Sequence, residues 1–227
     1  EIARHPKNTH PQFLYARFLH EMAPLLSISP VDVEERYRIT IETSPKRQQV
    51  YYGLARLYFQ TRRPDLAIET YRKVRDFDPG NGEGSWVLGI SLMYDLDKKE
   101  EGAQEILKAV HASFPYRLKD ARELEPVITA YLTVKDDTGL REFLSHLERQ
   151  PQGNASIYAP LARMLQDAGK SDLRDLVLTY GESIDPRTRA VFQNPSAATN
   201  SATETVTTPP VVQPQVATNT SPNLIRR

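Results

Sequence analysis

Five prolines, Pro45, Pro79, Pro115, Pro151 and Pro186, punctuate the sequence at separations of 34, 36, 36 and 35 residues. Between them, apolar residues recur three and four apart over Gln12 to Ala23, Val31 to Thr43, Gln49 to Gln60, Asp65 to Phe77, Ser85 to Leu96 and Glu100 to Ser113. That is the period of helices with one buried face. No alternating apolar run bounded by hairpin turns competes with it. Proline does not continue a helix, so each interval has room for two helices and their turns. A single pair of that length cannot bury its own apolar surface and must stack on the next pair. The chain is therefore expected to be all-α, a solenoid of about five helix pairs.

The interval ending at Pro79 identifies the repeat. Tyr51, Leu54, Ala55 and Tyr58 share one face of a first helix, and Ala67, Tyr71, Val74 and Pro79 follow along a second. This pattern resembles the tetratricopeptide repeat, and the resemblance implies a right-handed α-solenoid whose first helices line a concave side. The small residues let paired helices approach, and Pro64 suits the first turn of the second helix, where its missing N–H has no partner to lose.

Other intervals keep parts of the pattern. The third has Leu88, Gly89 and Leu92, then Ala103, Leu107, Val110 and Pro115, with two extra residues expected in the Asp95 to Lys99 turn. The first has Tyr15, Ala16 and Leu19, then Val33, Tyr37 and Pro45, across a long Pro24 to Pro30 connection. The fourth, Val127 to Pro151, is degenerate, with Tyr131 read into its small-residue slot and Pro126 read as the start of its first helix. The fifth has Tyr158, Leu161, Ala162, Leu165 and a turn glycine, Gly169, ending at Pro186. The solenoid is expected over residues 1–192. A Thr-, Pro- and Asn-rich tail, 193–227, has no aromatic residue from Ser196 onward and four prolines, Pro209, Pro210, Pro214 and Pro222, so it is expected to be disordered.

Charge and composition exclude several functions. Twenty-nine basic and 29 acidic residues balance, and non-specific nucleic-acid binding needs a basic surplus. No apolar run approaches the roughly 18 residues of a membrane span, so this segment is expected to be soluble by itself. The absence of cysteine removes disulfides, thiolate metal sites and a Cys nucleophile. The first residue, Glu1, suggests processing or a longer parent. The linking run Ser44-Pro45-Lys46-Arg47-Gln48-Gln49-Val50-Tyr51-Tyr52 resembles the repeat region of some bacterial O-antigen ligase-like membrane proteins. That resemblance implies a parent chain embedded in a bacterial inner membrane, with glycan-transfer chemistry in membrane helices that this segment lacks. No catalytic residue carries over.

The remaining motifs favour structure over chemistry. Gly80-Asn81-Gly82-Glu83-Gly84-Ser85 lacks the preceding strand and the Gly-Lys-Ser/Thr ending of a phosphate loop and is read as a flexible turn. His5, His10, His20, His111 and His146 lack metal-ligand spacing, and Asp95 and Asp97 begin a calcium loop that Lys98 and Lys99 spoil. No catalytic residue, metal site or cofactor is expected. Tyr52, Arg56, Phe59 and Gln60 on one first helix, and Trp86, Ile90, Met93 and Tyr94 on the next, fall outside the packing positions of the repeat. They are candidates for an aromatic groove binding a protein or peptide partner. Arg17, Arg56 and Arg163, each after an alanine, would point into the same concavity and could hold a carboxylate or phosphate, or pair with nearby acids. The chaperone-binding members of the repeat class use a Lys and Asn set where Tyr52, Arg56, Trp86 and Ile90 stand, so a chaperone tail is not expected. The sequence points to a non-catalytic scaffold. The alternative is an accessory arm of a membrane-embedded O-antigen ligase or polymerase.

Overall fold

The computed structural model describes residues 9–112, 121–149 and 157–194. The tail from residue 195 onward, Pro115 and Pro151 lie outside the described residues. Eleven α-helices and one π-helical turn succeed one another, with no strand among the described residues. Helices α1 (Thr9–Leu26) and α2 (Pro30–Thr43) form the first pair, α3 (Gln48–Gln60) and α4 (Pro64–Phe77) the second, and α5 (Glu83–Ile90) and α6 (Lys99–His111) the third. Helices α7 (Ala121–Val134) and α8 (Asp137–Arg149) form the fourth pair and α9 (Tyr158–Asp167) and α10 (Ser171–Ile184) the fifth. A short α11 (Thr188–Gln193) ends the stack.

One turn design joins the two helices in four of the five pairs. In the second, fourth and fifth pairs the N–H of Arg63, Asp136 and Lys170 reaches back to the carbonyl of Tyr58, Tyr131 and Leu165. The residue before each donor, Arg62, Lys135 or Gly169, has positive φ. These are Schellman closures, which satisfy the last carbonyls of the first helix. Ile28 closes α1 on Ala23 in the same way, after Ser27 at φ 53°.

The third pair departs by one residue. Lys98 N–H bonds the Leu92 carbonyl, one position wider than elsewhere, and Ser91–Asp95 form a π-turn. Part of the length expected in the Asp95 to Lys99 turn is thus absorbed inside the helix, as π-turns do with an inserted residue.

This common closure also corrects the fourth repeat. Tyr131 stands where Tyr58 and Leu165 stand, so Leu124, Val127, Ile128 and Tyr131 match Tyr51, Leu54, Ala55 and Tyr58. The small-residue slot therefore holds Ile128, not Tyr131. Space is recovered on the second helix, where a Cβ on Gly139 would come within 2.8 Å of the Tyr131 ring. Pro126 lies inside α7 and does not begin it, and Pro24 lies inside α1, which runs on to Leu26. Each proline forfeits one helix hydrogen bond, a loss that packing of the adjacent buried residues Leu124, Val127 and Ile128 offsets in α7. Gly84, in the first turn of α5, is tightly fitted: a Cβ there would lie 2.5 Å from the Arg75 Cα of α4.

The core divides in two. Ala16, Val33, Tyr37, Leu54, Ala55, Tyr58, Tyr71 and Leu92 belong to an N-terminal cluster. Met93, Ile106, Ile128, Leu144, Leu161 and Leu178 belong to a C-terminal one. The outer helices are tied by ion pairs, Arg72 to Glu101 at 2.7 Å and Arg75 to Glu105 at 3.2 Å between α4 and α6, and Arg141 to Asp172 and Lys170 to Asp137 around α8 and α10. Glu34 of α2 is buried and accepts from Arg38, from Arg63 and from the Tyr58 hydroxyl at 2.6, 2.8 and 3.0 Å. Burial alone would raise its pKa, but the bonds from Arg63, Arg38 and Tyr58 outweigh it and hold the carboxyl below its usual range.

Candidate functional site

The first helices of the first two pairs enclose a cavity of about 630 Å³. Its α1 wall carries Phe13, Arg17, His20, Glu21 and Pro24, and its α3 wall carries Gln49, Tyr52, Gly53, Arg56 and Gln60, with Tyr37 of α2 behind. Residues at i, i+3, i+4 and i+7 share a helix face, so Phe13, Arg17, His20 and Pro24 line up as Tyr52, Arg56 and Phe59 do on α3.

His20 binds the walls together. Its Nδ1 lies 3.0 Å from Tyr37 Oη and its Nε2 2.6 Å from Gln60 Oε1. A neutral imidazole satisfies both contacts if Nε2–H donates to Gln60 and the tyrosine hydroxyl donates to Nδ1. The His20 and Tyr37 rings also meet edge to face at 5.7 Å. Burial, then the field of Glu21, pushes Tyr37 up to about 12, so its hydroxyl stays protonated as a donor. Gly53 is required here because a Cβ would come within 2.6 Å of Tyr37 Oη.

The two arginines of the cavity differ. Arg17 is already engaged, its Nε donating to Glu21 at 2.7 Å across one helical turn. That bond and then the Arg17 charge lower the Glu21 pKa, with a smaller contribution from Arg56. Arg56 is exposed and makes no hydrogen bond or ion pair among the described residues. Tyr52 is half-buried beside it, 6.2 Å from the Tyr71 ring, and Phe59 lies 6.1 Å from the same ring. Tyr52 Oη is buried without a hydrogen bond of good geometry, and burial, then the nearby Glu83 carboxylate, raises its pKa. Tyr52, Phe59 and Tyr71 thus form an aromatic shelf, and Arg56 is an exposed cation on the cavity wall one helical turn from Tyr52.

The remaining candidates lie elsewhere. Met93 is 4% exposed and belongs to the C-terminal core, so it is not a groove residue. The π-turn shifts residues after Leu92 out of α-helical register, and Met93 is buried where Phe59, its counterpart, stays partly exposed. Trp86 and Ile90 are half-buried and pack against the C-terminal core. Tyr94 remains 49% exposed, its hydroxyl beside Thr129 and Glu125 of α7. Arg163 is engaged at the far end, donating to the Val191 carbonyl at 2.7 Å and so closing the end of α11. The structure therefore brings Arg17, Tyr52 and Arg56 together at one cavity, with Phe59 on the same shelf, and disperses the rest. Sequence reasoning missed His20, Glu21 and Gln49 as cavity residues. Their signal was the spacing of His20 and Glu21 three and four residues after Arg17. Among the described residues no three His, Asp or Glu converge as a metal site requires.

No protein-family model matches the chain, and no curated protein matches it in sequence. Solved structures do resemble it. One is YrrB, described as a TPR protein with an unusual peptide-binding site, at 16% identity and a TM-score of 0.51, covering 86% of this chain and 95% of that one. Another is PilF of Pseudomonas aeruginosa, at 20% identity and a TM-score of 0.51, covering 85% and 89%. The fold is a tetratricopeptide-like all-α solenoid. Neither neighbour is described as a glycan-transfer protein, and no described helix is long and apolar enough to cross a membrane. The reading as an arm of an O-antigen ligase gains no support from them.

Proposed function

We propose that this chain is a non-catalytic scaffold that holds a peptide or an extended partner segment between α1 and α3. The observation that carries the reading is Arg56: a guanidinium without an ion pair among the described residues, beside Tyr52, on the wall of a cavity of about 630 Å³. Clefts of this size suit a few side chains of a ligand. Aromatic and arginine residues are those that most often dominate binding energy at protein interfaces. His20, bonded to both Tyr37 and Gln60, fixes the wall in advance, which lowers the ordering cost of binding. The fold likeness to YrrB, a protein described as having a peptide-binding site, agrees with this reading.

The test is selection of a random peptide display library on the full chain, followed by titration of the enriched peptides. Arg56→Ala and Tyr52→Ala should each weaken them about tenfold or more, whereas Tyr94→Ala should leave them unchanged. Enriched peptides indifferent to Arg56 and Tyr52, or no enrichment at all, would remove the cavity as the site.

A further inference from the structure

Helix α1 has an apolar face that stays exposed among the described residues. Leu14 is 47%, Phe18 51% and Leu25 76% exposed, and Pro11 and Met22 beside them are partly exposed. The same positions in α3 are used for stacking. Counted from the Ala-Arg pairs, Leu14 corresponds to Gly53 and Phe18 to Leu57. Gly53 faces Tyr37 of the preceding pair at a distance that leaves no room for a Cβ, and Leu57 is 3% exposed in the N-terminal core. The face of α1 is therefore built like a helix-stacking surface. The opposite end of the stack differs: α11 packs on α9 and α10, Arg163 closes its last turn, and none of its residues is an exposed large hydrophobic. Head-to-tail stacking of copies finds no matching apolar surface there.

The spacing on α1 suits a different arrangement. Pro11, Leu14, Phe18, Met22 and Leu25 are separated by three, four, four and three residues, a pattern symmetric about Phe18. A second α1 laid antiparallel would set Leu14 against Met22, Pro11 against Leu25, and Phe18 against itself. That reciprocity is what a two-fold interface demands. None of the five residues is charged, so apposed copies bring no like charges together in the stripe, and none of them lines the α1–α3 cavity.

We propose that the chain forms a two-fold dimer through antiparallel α1 helices, with Phe18 on the axis. This inference is independent of what the cavity binds. It leaves both cavities open beside the interface, so a partner carrying two copies of a weak segment would gain avidity from the pair.

The full chain tests this directly. In sedimentation velocity it should run at twice the 25.8 kDa chain mass, and Phe18→Glu should weaken the dimer about tenfold or more while retaining the helical circular dichroism. Because the chain contains no cysteine, Phe18→Cys should oxidise to a covalent dimer, and Leu66→Cys, on the outer helix α4, should not. A chain that remains monomeric at high micromolar concentration overturns the proposal, whatever other protein covers the face. So does a dimer that survives Phe18→Glu, or one that Leu66→Cys cross-links as readily as Phe18→Cys.

Discussion

Gly89 and Gly102 face each other where α5 crosses α6. A Cβ on Gly89 would lie 2.8 Å from the Gly102 carbonyl oxygen, and one on Gly102 would lie 2.7 Å from the Gly89 carbonyl oxygen. The backbones touch, with no side chain between them to give way. Gly102→Ala should therefore destabilise by about 1 to 3 kcal/mol through overpacking, and Ala55→Leu, at the position of α3 equivalent to Gly89 and fully buried, by a similar amount. Denaturant midpoints of the two variants check this. Unchanged midpoints would mean that the helices can separate without loss.

Glu34 should make the protein acid-sensitive. Its folded pKa is depressed, so its contribution is complete above the unfolded carboxyl value of about 4.3 and is lost as pH falls from there through the folded value. Glu34→Gln should remove about 1 to 2 kcal/mol at neutral pH, since it weakens bonds from Arg38, Arg63 and Tyr58. The stability difference between parent and variant should shrink below pH 4. Urea unfolding at a series of pH values measures it.

The turn between paired helices offers a gain in stability. Arg62 and Lys135 hold φ of 58° and 59° where the fifth pair has Gly169 at 73°. A non-glycine residue there costs about 1 to 2 kcal/mol, and glycine returns roughly half of that through unfolded-chain entropy. Arg62 adjoins Arg63, which lies over the Tyr58 ring and pairs with Glu34, so Lys135→Gly, away from that cluster, is the cleaner substitution and should stabilise by roughly 0.5 kcal/mol. Gly169→Ala should destabilise by about 1 kcal/mol from φ alone, as nothing lies within 4 Å of the added Cβ. Thermal melts of both variants should move in opposite directions.

The repeat length and most packing positions were legible because they depend on distance along the chain. The helix from Gln49 to Gln60 and the buried set Tyr51, Leu54, Ala55 and Tyr58 follow from periodicity alone. Three features were not. Pro126 reads as a helix start because proline favours that place, yet it sits mid-helix among buried Leu124, Val127 and Ile128, and that misplacement shifted the fourth repeat's register. The π-turn has no composition of its own; it absorbs one of the two residues by which the third repeat exceeds the second. The groove read from sequence joined α3 to α5, whereas the cavity joins α3 to α1, because a repeat pattern marks the face used within a pair. It does not mark the face that Trp86 and Ile90 give to the next one.

Trp86 supplies the sharpest separation between the two placements of the groove. It is the only tryptophan, half-buried and packed against the C-terminal core, whereas the α1–α3 cavity is lined from α1, α2 and α3 and their adjoining turns. A ligand held by Arg56 and Tyr52 should leave the Trp86 emission maximum unchanged at saturation, because no water is displaced from the indole. Trp86→Ala should instead act on the fold, costing about 2 kcal/mol, less than the 3 to 5 of a fully buried aromatic because part of the ring already meets solvent. Its effect on peptide affinity should be small once the protein is held at a temperature where it remains folded. Fluorescence titration and thermal melting of the parent and variant give both readings. A shift to shorter wavelength on peptide addition, with affinity lost in Trp86→Ala at unchanged stability, would move the binding site from the α1–α3 cavity to α5.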